Sequence, residues 1–397
     1  MIIADDVTGA SDTGVQLARR GISTVVSFSP ARAARGGGYV LETDSRALEG
    51  RAAYRRLRGL CDEIDFGGFQ YVIKKVDSTL RGNIPWEIRA VDESFGGEMV
   101  LFMPALPDMG RTTVDAVHLL DGRRITATEL ARDPRSPVLE DHLIKILAGV
   151  YSEKITHFPV RDIEAGRLDF SSGRLFVSDA VTNRHMQTVI RAALKTGKRT
   201  LWVGAAAIAD NLLETEYPML PAMGLAASVS EATRRQVRYA EKNGVPLVIV
   251  PAGELMGGGD KRRFVHEAVA HLKEKKDVIV LTGAVYDRAE LNRGGPMNPD
   301  SRTAGEEIQK IMGKIAADIL KQAEVSGVFL TGGDTARAFF SEIGAASFRV
   351  LSEALTAIPL MRVEGGPFHG MKVVTKAGAF GKEDGLLYSL RKLREKG

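Results

Sequence analysis

The sequence predicts an α/β protein of two lobes: an N-terminal, mostly parallel, doubly wound sheet and a smaller C-terminal α/β lobe carrying antiparallel strands. Three observations predict it. Short runs rich in Val, Ile, Leu and Phe alternate with helical patterns, as in doubly wound sheets. At 397 residues the chain exceeds one ordinary core and implies two or three domains of about 100–200 residues each. From Arg349 onward the pattern turns hairpin-like, with Met361 to Val363 and Met371 to Val374 on either side of Gly365-Gly366-Pro367.

The first strand, Ile2 to Ala4, ends at the acidic pair Asp5-Asp6 and runs into a turn at Gly9. In an open α/β sheet, ligands bind in the crevice outside the carboxyl ends of the strands. Two carboxylates at that edge therefore read either as ligand contacts or as caps of the helix Ala10 to Arg20. Further strands are expected at Thr24 to Phe28, Tyr39 to Glu42, Tyr71 to Lys74, Met99 to Met103, Leu175 to Val177 and Leu201 to Val203. Polar clusters follow three of these: Asp44-Ser45-Arg46, Lys75-Val76-Asp77-Ser78-Thr79 and Pro104 to Asp108. In one parallel sheet they would converge on one rim. Tyr217 to Pro221 has the spacing of a connection between lobes, giving domains 1–222 and 223–397. Beyond it come a helix over Ser228 to Asn243 and strands at Leu247 to Val250, Val278 to Leu281 and Val328 to Thr331.

Composition excludes several classes. There are 54 basic and 50 acidic residues, a net charge of +4, and the basic residues are scattered, which disfavours nucleic acid. The single cysteine, Cys61, excludes an internal disulfide and a Cys-based zinc cluster and fits a reducing compartment. No apolar run approaches the roughly 18 residues of a membrane span, and a cytoplasmic location is expected. The seven histidines show no metal-ligand spacing, so no protein metal site is expected.

Two glycine-rich turns carry a phosphate signal. Thr331-Gly332-Gly333-Asp334-Thr335 leads a buried-type strand into a helix, where bare backbone N–H groups and the helix dipole suit an anion. Thr375 to Gly381 is a second such turn, with Lys376 as a cation for phosphate. Ser228 to Glu231 fits a capping box. The Walker pattern, the dinucleotide fingerprint and the protein-kinase set are absent. In the first lobe, Lys74 to Gly82 groups cations, a carboxylate and hydroxyls suited to a polyhydroxylated acid, and Arg46 offers a bidentate carboxylate clamp.

Taken together and in order, Ile3 to Gly9, Thr43 to Arg46, Lys75 to Gly82, Pro104 to Asp121, Ser228 to Gln236, Gly332 to Thr335 and Lys376 to Gly381 resemble the four-carbon acid sugar kinases. Ala227 stands where that family's Gly-Ser-x-Ser entry opens with Gly. The resemblance implies an ATP-dependent kinase acting on a terminal hydroxyl, O4, of threonate, erythronate or an oxo-tetronate, with the acid on the N-terminal lobe and the nucleotide on the C-terminal lobe. It implies acid contacts from Asp6, Arg46, Lys75, Val76, Asp77 and Ser78, and ATP contacts from Ser228, Gly332, Gly333, Asp334, Thr335 and Gly378. Asp6 is the first candidate for the acceptor base and Asp77 the second. ATP and Mg2+ are the expected cofactors, with Mg2+ held by phosphates rather than by a protein cage. Expected partners are the acid and ATP, without nucleic acid or membrane, and homo-oligomerisation is left open. The competing reading is a non-catalytic sensor of the acid or nucleotide, and an NAD-dependent oxidoreductase is weaker because its fingerprint is missing.

Overall fold

The computed structural model describes residues 1–30, 37–227, 229–251, 260–287 and 301–396, with backbone only at 301–304. Two compact units share the chain: Met1–Pro218, joined by Lys396, and Met219–Glu395.

In the first unit β1 (Ile2–Ala4), β2 (Thr24–Ser27), β3 (Gly38–Glu42), β4 (Val72–Lys75) and β5 (Met99–Phe102) are followed by a small antiparallel meander. This meander is β6 (Arg111–Val114), β7 (Val117–Leu120) and β8 (Arg123–Arg124). Then come β9 (Ile155–Phe158), β10 (Leu175–Ser178) and β11 (Thr200–Gly204). The main sheet is eight-stranded in the order β2-β3-β1-β4-β11-β5-β10-β9, and every pairing in it is parallel. A parallel sheet covered on both faces needs apolar residues on both, and alternation along each strand supplies two cores. Ile3, Leu41, Val100 and Val203 pack on one face. Ile2, Val40, Leu101 and Trp202 pack on the other.

From β1 the chain moves out to β2, returns through β3, and then places β4 on the far side of β1. Strand order reverses between β1 and β4, so the crevice where ligands bind opens at their carboxyl ends. Asp5-Asp6 follows β1 and Val76-Asp77-Ser78 follows β4, so both reach that crevice.

The second unit repeats the device. Its strands are β12 (Ala222–Ala226), β13 (Leu247–Val250), β14 (Val278–Thr282), β15 (Gly327–Thr331), β16 (Ser347–Leu355), β17 (Ile358–Glu364) and β18 (Lys372–Lys376), in the order β13-β14-β12-β15-β18-β17-β16. The first five strands of that order are parallel, and β17 and β16 continue the sheet antiparallel. Its reversal point lies between β12 and β15, which leads directly into Gly332-Gly333. The expected fold class holds. Among the described residues no helix is long and apolar enough to cross a membrane.

One polar pair interrupts the first core. Lys74 and Glu87, on β4 and the helix Ile84–Phe95, are 2.8 Å apart and 0% and 1% exposed. Glu87 also accepts from the Ser45 hydroxyl at 2.8 Å, which ties this pair to the loop carrying Arg46. Removing one member of a buried pair strands the other charge. Glu87→Leu is expected to lose about 3–5 kcal/mol in urea unfolding, and the double change Lys74→Met with Glu87→Leu to recover most of it. A single variant within 1 kcal/mol of wild type would show that the pair is not a buried constraint.

Candidate functional site

The first unit's crevice is organised by Arg46. Its Nε and Nη2 donate to Asp5 at 2.7 and 3.0 Å, and its Nη1 and Nη2 donate to Asp6 at 2.8 and 2.7 Å. Nη2 also lies 3.6 Å from Asp77 Oδ1. Burial works against the charge, yet the bonds to Asp5 and the charges of Asp77 and Asp6 raise the Arg46 pKa above its usual value. Arg46 is therefore ion-paired with both strand-end carboxylates.

Asp77 is likewise committed. Its Oδ2 accepts from the backbone N–H of Thr79 at 3.1 Å and of Arg81 at 3.3 Å, and from Arg81 Nε at 3.0 Å and the Thr79 hydroxyl. Its Oδ1 accepts from Arg81 Nη2 at 3.0 Å. Burial opposes ionisation here, but the bonds from Arg81 and Thr79 and the charge of Arg46 hold the carboxyl well below the usual range. Asp6, by contrast, caps the helix Val7–Ala18 by accepting from Gly9 N–H on Oδ1, and its Oδ2 meets only Arg46 Nη1 among the described residues. A carboxylate oxygen has two acceptor positions, so one remains on Asp6 Oδ2.

Lys75, at the end of β4, is 5% exposed. Its ammonium forms no hydrogen bond or ion pair with any described residue. Burial lowers its pKa, offset in part by the charges of Asp5 and Asp77. The ammonium lies against Gly9: a Cβ there would come within 2.8 Å of Lys75 Nζ and 2.6 Å of Asp6 Oδ1, so any other residue would displace these two side-chain ends. The backbone N–H groups of Asp77 and Ser78 and the Ser78 hydroxyl also lack partners among the described residues. Ammonium, amides and hydroxyl are all donors of the kind a carboxylate accepts from. Val76 stands apart. Its side chain is buried in the core and its N–H donates to Gly204 O at 2.9 Å.

A residue that sequence reasoning passed over braces this loop. His118 on β7 is fully buried, with Nε2 3.0 Å from Ser78 O and Nδ1 2.9 Å from Thr113 Oγ1. A carbonyl only accepts, so Nε2 carries the proton and Nδ1 accepts from the Thr113 hydroxyl. Burial pushes the His118 pKa down to about 4, which keeps that neutral form. Thr113 in turn pairs with Ala180 beyond β10. The meander thus runs a rigid connection from the end of one strand to the Ser78 carbonyl.

In the second unit Gly332 has φ +96° and ψ 134°, which favours glycine, and it opens the helix Gly333–Glu342 without a side-chain cap. The N–H groups of Gly333, Asp334 and Thr335 at that start have no partner among the described residues, as an anion site requires. Thr335 is buried, while Gly333 and Asp334 are exposed. Gly378 is a hub: its carbonyl accepts from Lys376 Nζ at 2.9 Å, Thr233 Oγ1 at 3.2 Å and the Ser230 hydroxyl, and its N–H has no partner among the described residues. Ser228 lies outside the described residues. The capping-box expectation there is corrected: the cap of the helix Glu231–Lys242 is Ser230, which accepts from Thr233 N–H at 3.1 Å. The bonds that Ser230 and Thr233 make to the Gly378 carbonyl fix that helix start, two residues later than the pattern placed it.

Lys376 is 2% exposed, and no carboxylate pairs with it among the described residues. Burial pushes its pKa down to about 8. No group of three or more His, Cys, Asp or Glu converges on a metal position among the described residues.

Comparisons with known proteins agree with this division. A family described as a sugar-binding N-terminal domain matches residues 1–212, and one described as a nucleotide-binding C-terminal domain matches residues 223–386. D-threonate kinase of Salmonella typhimurium is 32% identical over 418 residues, covering 100% of this chain and 98% of that protein. D-erythronate kinase of Heliobacterium modesticaldum is 27% identical, covering 97% and 94%. A crystal structure from Bordetella bronchiseptica, described as a domain of unknown function with bound citrate and as a domain-swapped dimer, is 27% identical with a TM-score of 0.64, covering 99% of this chain and 98% of that one. The chain belongs to the four-carbon acid sugar kinase family.

The state of Lys376 sets a pH dependence. Its folded pKa of about 8 lies below the usual 10.5, so the unfolded chain binds more protons between those values and the ligand-free protein gains stability as pH rises through that window. An anion on the ammonium needs the proton kept. ATP affinity is therefore expected to fall above pH 8, approaching about tenfold per pH unit, and Lys376→Met to flatten the dependence. A wild-type ATP Kd constant by calorimetry from about pH 7 to about pH 9.5 would remove Lys376 from the phosphate site.

Proposed function

We propose that this kinase transfers the terminal phosphoryl group of ATP to O4 of a four-carbon sugar acid, with threonate the first candidate and erythronate and oxo-tetronates next. The observation that carries the reading is Lys75, a buried ammonium without a carboxylate partner among the described residues, at the point where strand order reverses. The acid's carboxylate answers that charge and accepts from the Ser78 hydroxyl and the free amides of Asp77 and Ser78. Arg46 acts one step back by holding Asp5 and Asp6 in place. The names of the Salmonella and Heliobacterium relatives support an acid of this size, and the citrate bound by the Bordetella relative supports a hydroxycarboxylate ligand.

Asp6 is the group that receives the acceptor proton. It is held by Arg46 and one backbone N–H, whereas Asp77 accepts five hydrogen bonds from Thr79 and Arg81 and is held far into its ionised form, so Asp77 serves to shape the loop. Phosphoryl transfer through a loose transition state asks mainly for positioning and charge neutralisation. On the second unit the Gly332 to Thr335 turn, Gly378 N–H and Lys376 take the ATP phosphates, and the family resemblance assigns Ser228 to the same nucleotide. Mg2+ would neutralise phosphate charge when bound, and the exposed Asp334 carboxylate beside the glycine turn is the side chain that would hold it together with the phosphates. The Bordetella relative's dimer supports a homo-oligomer as the working assembly.

ADP release with Mg-ATP and a panel of four-carbon acids tests the reading. Turnover that depends on the acid, and a Lys75→Met variant whose KM for the acid rises by tens of fold while its KM for ATP holds, are expected; breaking a buried charge pair costs about 2–5 kcal/mol. Binding of the acid without ADP formation would replace the kinase with a sensor.

A further inference from the structure

Beside the glycine turn of the second unit lies a cavity of about 510 Å3, a volume within the usual span of small-ligand sites. One wall is a single face of the helix Gly333–Glu342. Gly333, Ala336, Arg337 and Phe340 follow the spacing that stacks residues on one side of a helix. The opposite wall comes from the sheet, with Met361 on β17 and Phe348 on β16. Phe348 and Phe340 stack with ring centroids 5.1 Å apart and planes 22° from parallel. Phe348 nevertheless leaves 47% of its surface exposed, a large aromatic face on an edge strand with room beside it.

The cavity has a chemical gradient. At one end are the unpartnered N–H groups of Gly333 and Asp334, where a Cβ built on Gly333 meets nothing within 4 Å. Arg337 follows one turn along; it is exposed and has no carboxylate partner among the described residues. At the far end, two turns along and about 10 Å by helix rise, the lining is Phe340, Phe348 and Met361. An anion end, a cation and an aromatic end in that order match a nucleotide laid along the helix.

We propose that this cavity is the nucleobase subsite, in which a purine stacks on Phe348 beside Phe340 and Met361 while Arg337 faces the phosphates nearest the ribose. The inference rests on the nucleotide reading of the glycine turn and deepens it. It places the base on the β16–β17 side of that turn, and it makes Phe348, far from the glycine motif in sequence, a determinant of nucleotide affinity. Stacking on an aromatic face accepts any purine, so ATP and GTP are expected to bind within a few fold of each other.

The test compares a ligand with a base against one without. Calorimetry with ATP and with inorganic tripolyphosphate is run on wild type, Phe348→Ala, Phe348→Trp and Phe340→Ala. Loss of one stacking face is expected to weaken ATP by about tenfold or more, with Phe348→Trp restoring it. Tripolyphosphate affinity and the KM for the acid are expected to stay within twofold of wild type. Tripolyphosphate binding also reports that each variant is folded. ATP affinity unchanged in both alanine variants would overturn the base subsite, as would equal losses for ATP and tripolyphosphate in Phe348→Ala. Wild type that binds neither ligand would instead overturn the nucleotide reading beneath it.

Discussion

The fork of Arg46 on Asp5 and Asp6 is the interaction on which the first unit's site depends. Two adjacent carboxylates at one strand end repel each other, and a third, Asp77, arrives from the neighbouring strand. One planar guanidinium with donors on both edges neutralises the pair and fixes its orientation, which a lysine's compact ammonium cannot do. Because Arg46 is occupied in this way, and Arg81 occupies Asp77, Lys75 feels the charges of Asp5 and Asp77 but makes no hydrogen bond or ion pair with a carboxylate among the described residues. The lattice thereby presents one cation to the crevice and one open acceptor position on Asp6, a polarity suited to a molecule with a carboxylate at one end and a hydroxyl at the other.

Both units solve the same problem with the same topology. Each sheet reverses strand order beside its first strand, each helix following that strand is capped by a side chain, Asp6 or Ser230, and each site holds a buried lysine without a carboxylate among the described residues. The chemistry differs because the flanking residues differ. Carboxylates line the first crevice and offer acceptors for sugar hydroxyls. Bare glycine amides line the second, donors of the kind a phosphate accepts from.

Much of this was legible in the chain because its signals are local. Strands such as Gly38–Glu42 and Gly327–Thr331 announce themselves by short apolar runs, and the glycine turn after the latter by the residues that bare amides require. What escaped depends on distant partners. β12, Ala222–Ala226, lacks a β-branched run; its Gly224 lies close against Ile279, where a Cβ would come within 3.2 Å, and that packing does not show in composition. The meander β6 to β8 reads as polar because its work is to hold a loop rather than to build a core. His118 looked idle as one histidine among seven, since its acceptor, Ser78 O, lies 40 residues earlier in the chain. Phe348 and Phe340 meet only once the β16–β17 hairpin folds beside the helix Gly333–Glu342.

The account stands most directly on the Arg46 fork, and one titration tests it. Threonate and ATP are each titrated into Arg46→Lys, which keeps the charge but cannot hold both aspartates. Released carboxylates would then turn to Lys75 and compete with the acid, so acid affinity is expected to fall by at least tens of fold, in line with about 2–5 kcal/mol for a disrupted buried charge pair, while ATP affinity stays at the wild-type value. Threonate binding at wild-type strength in Arg46→Lys would contradict the account, since Lys75 would then owe nothing to the fork.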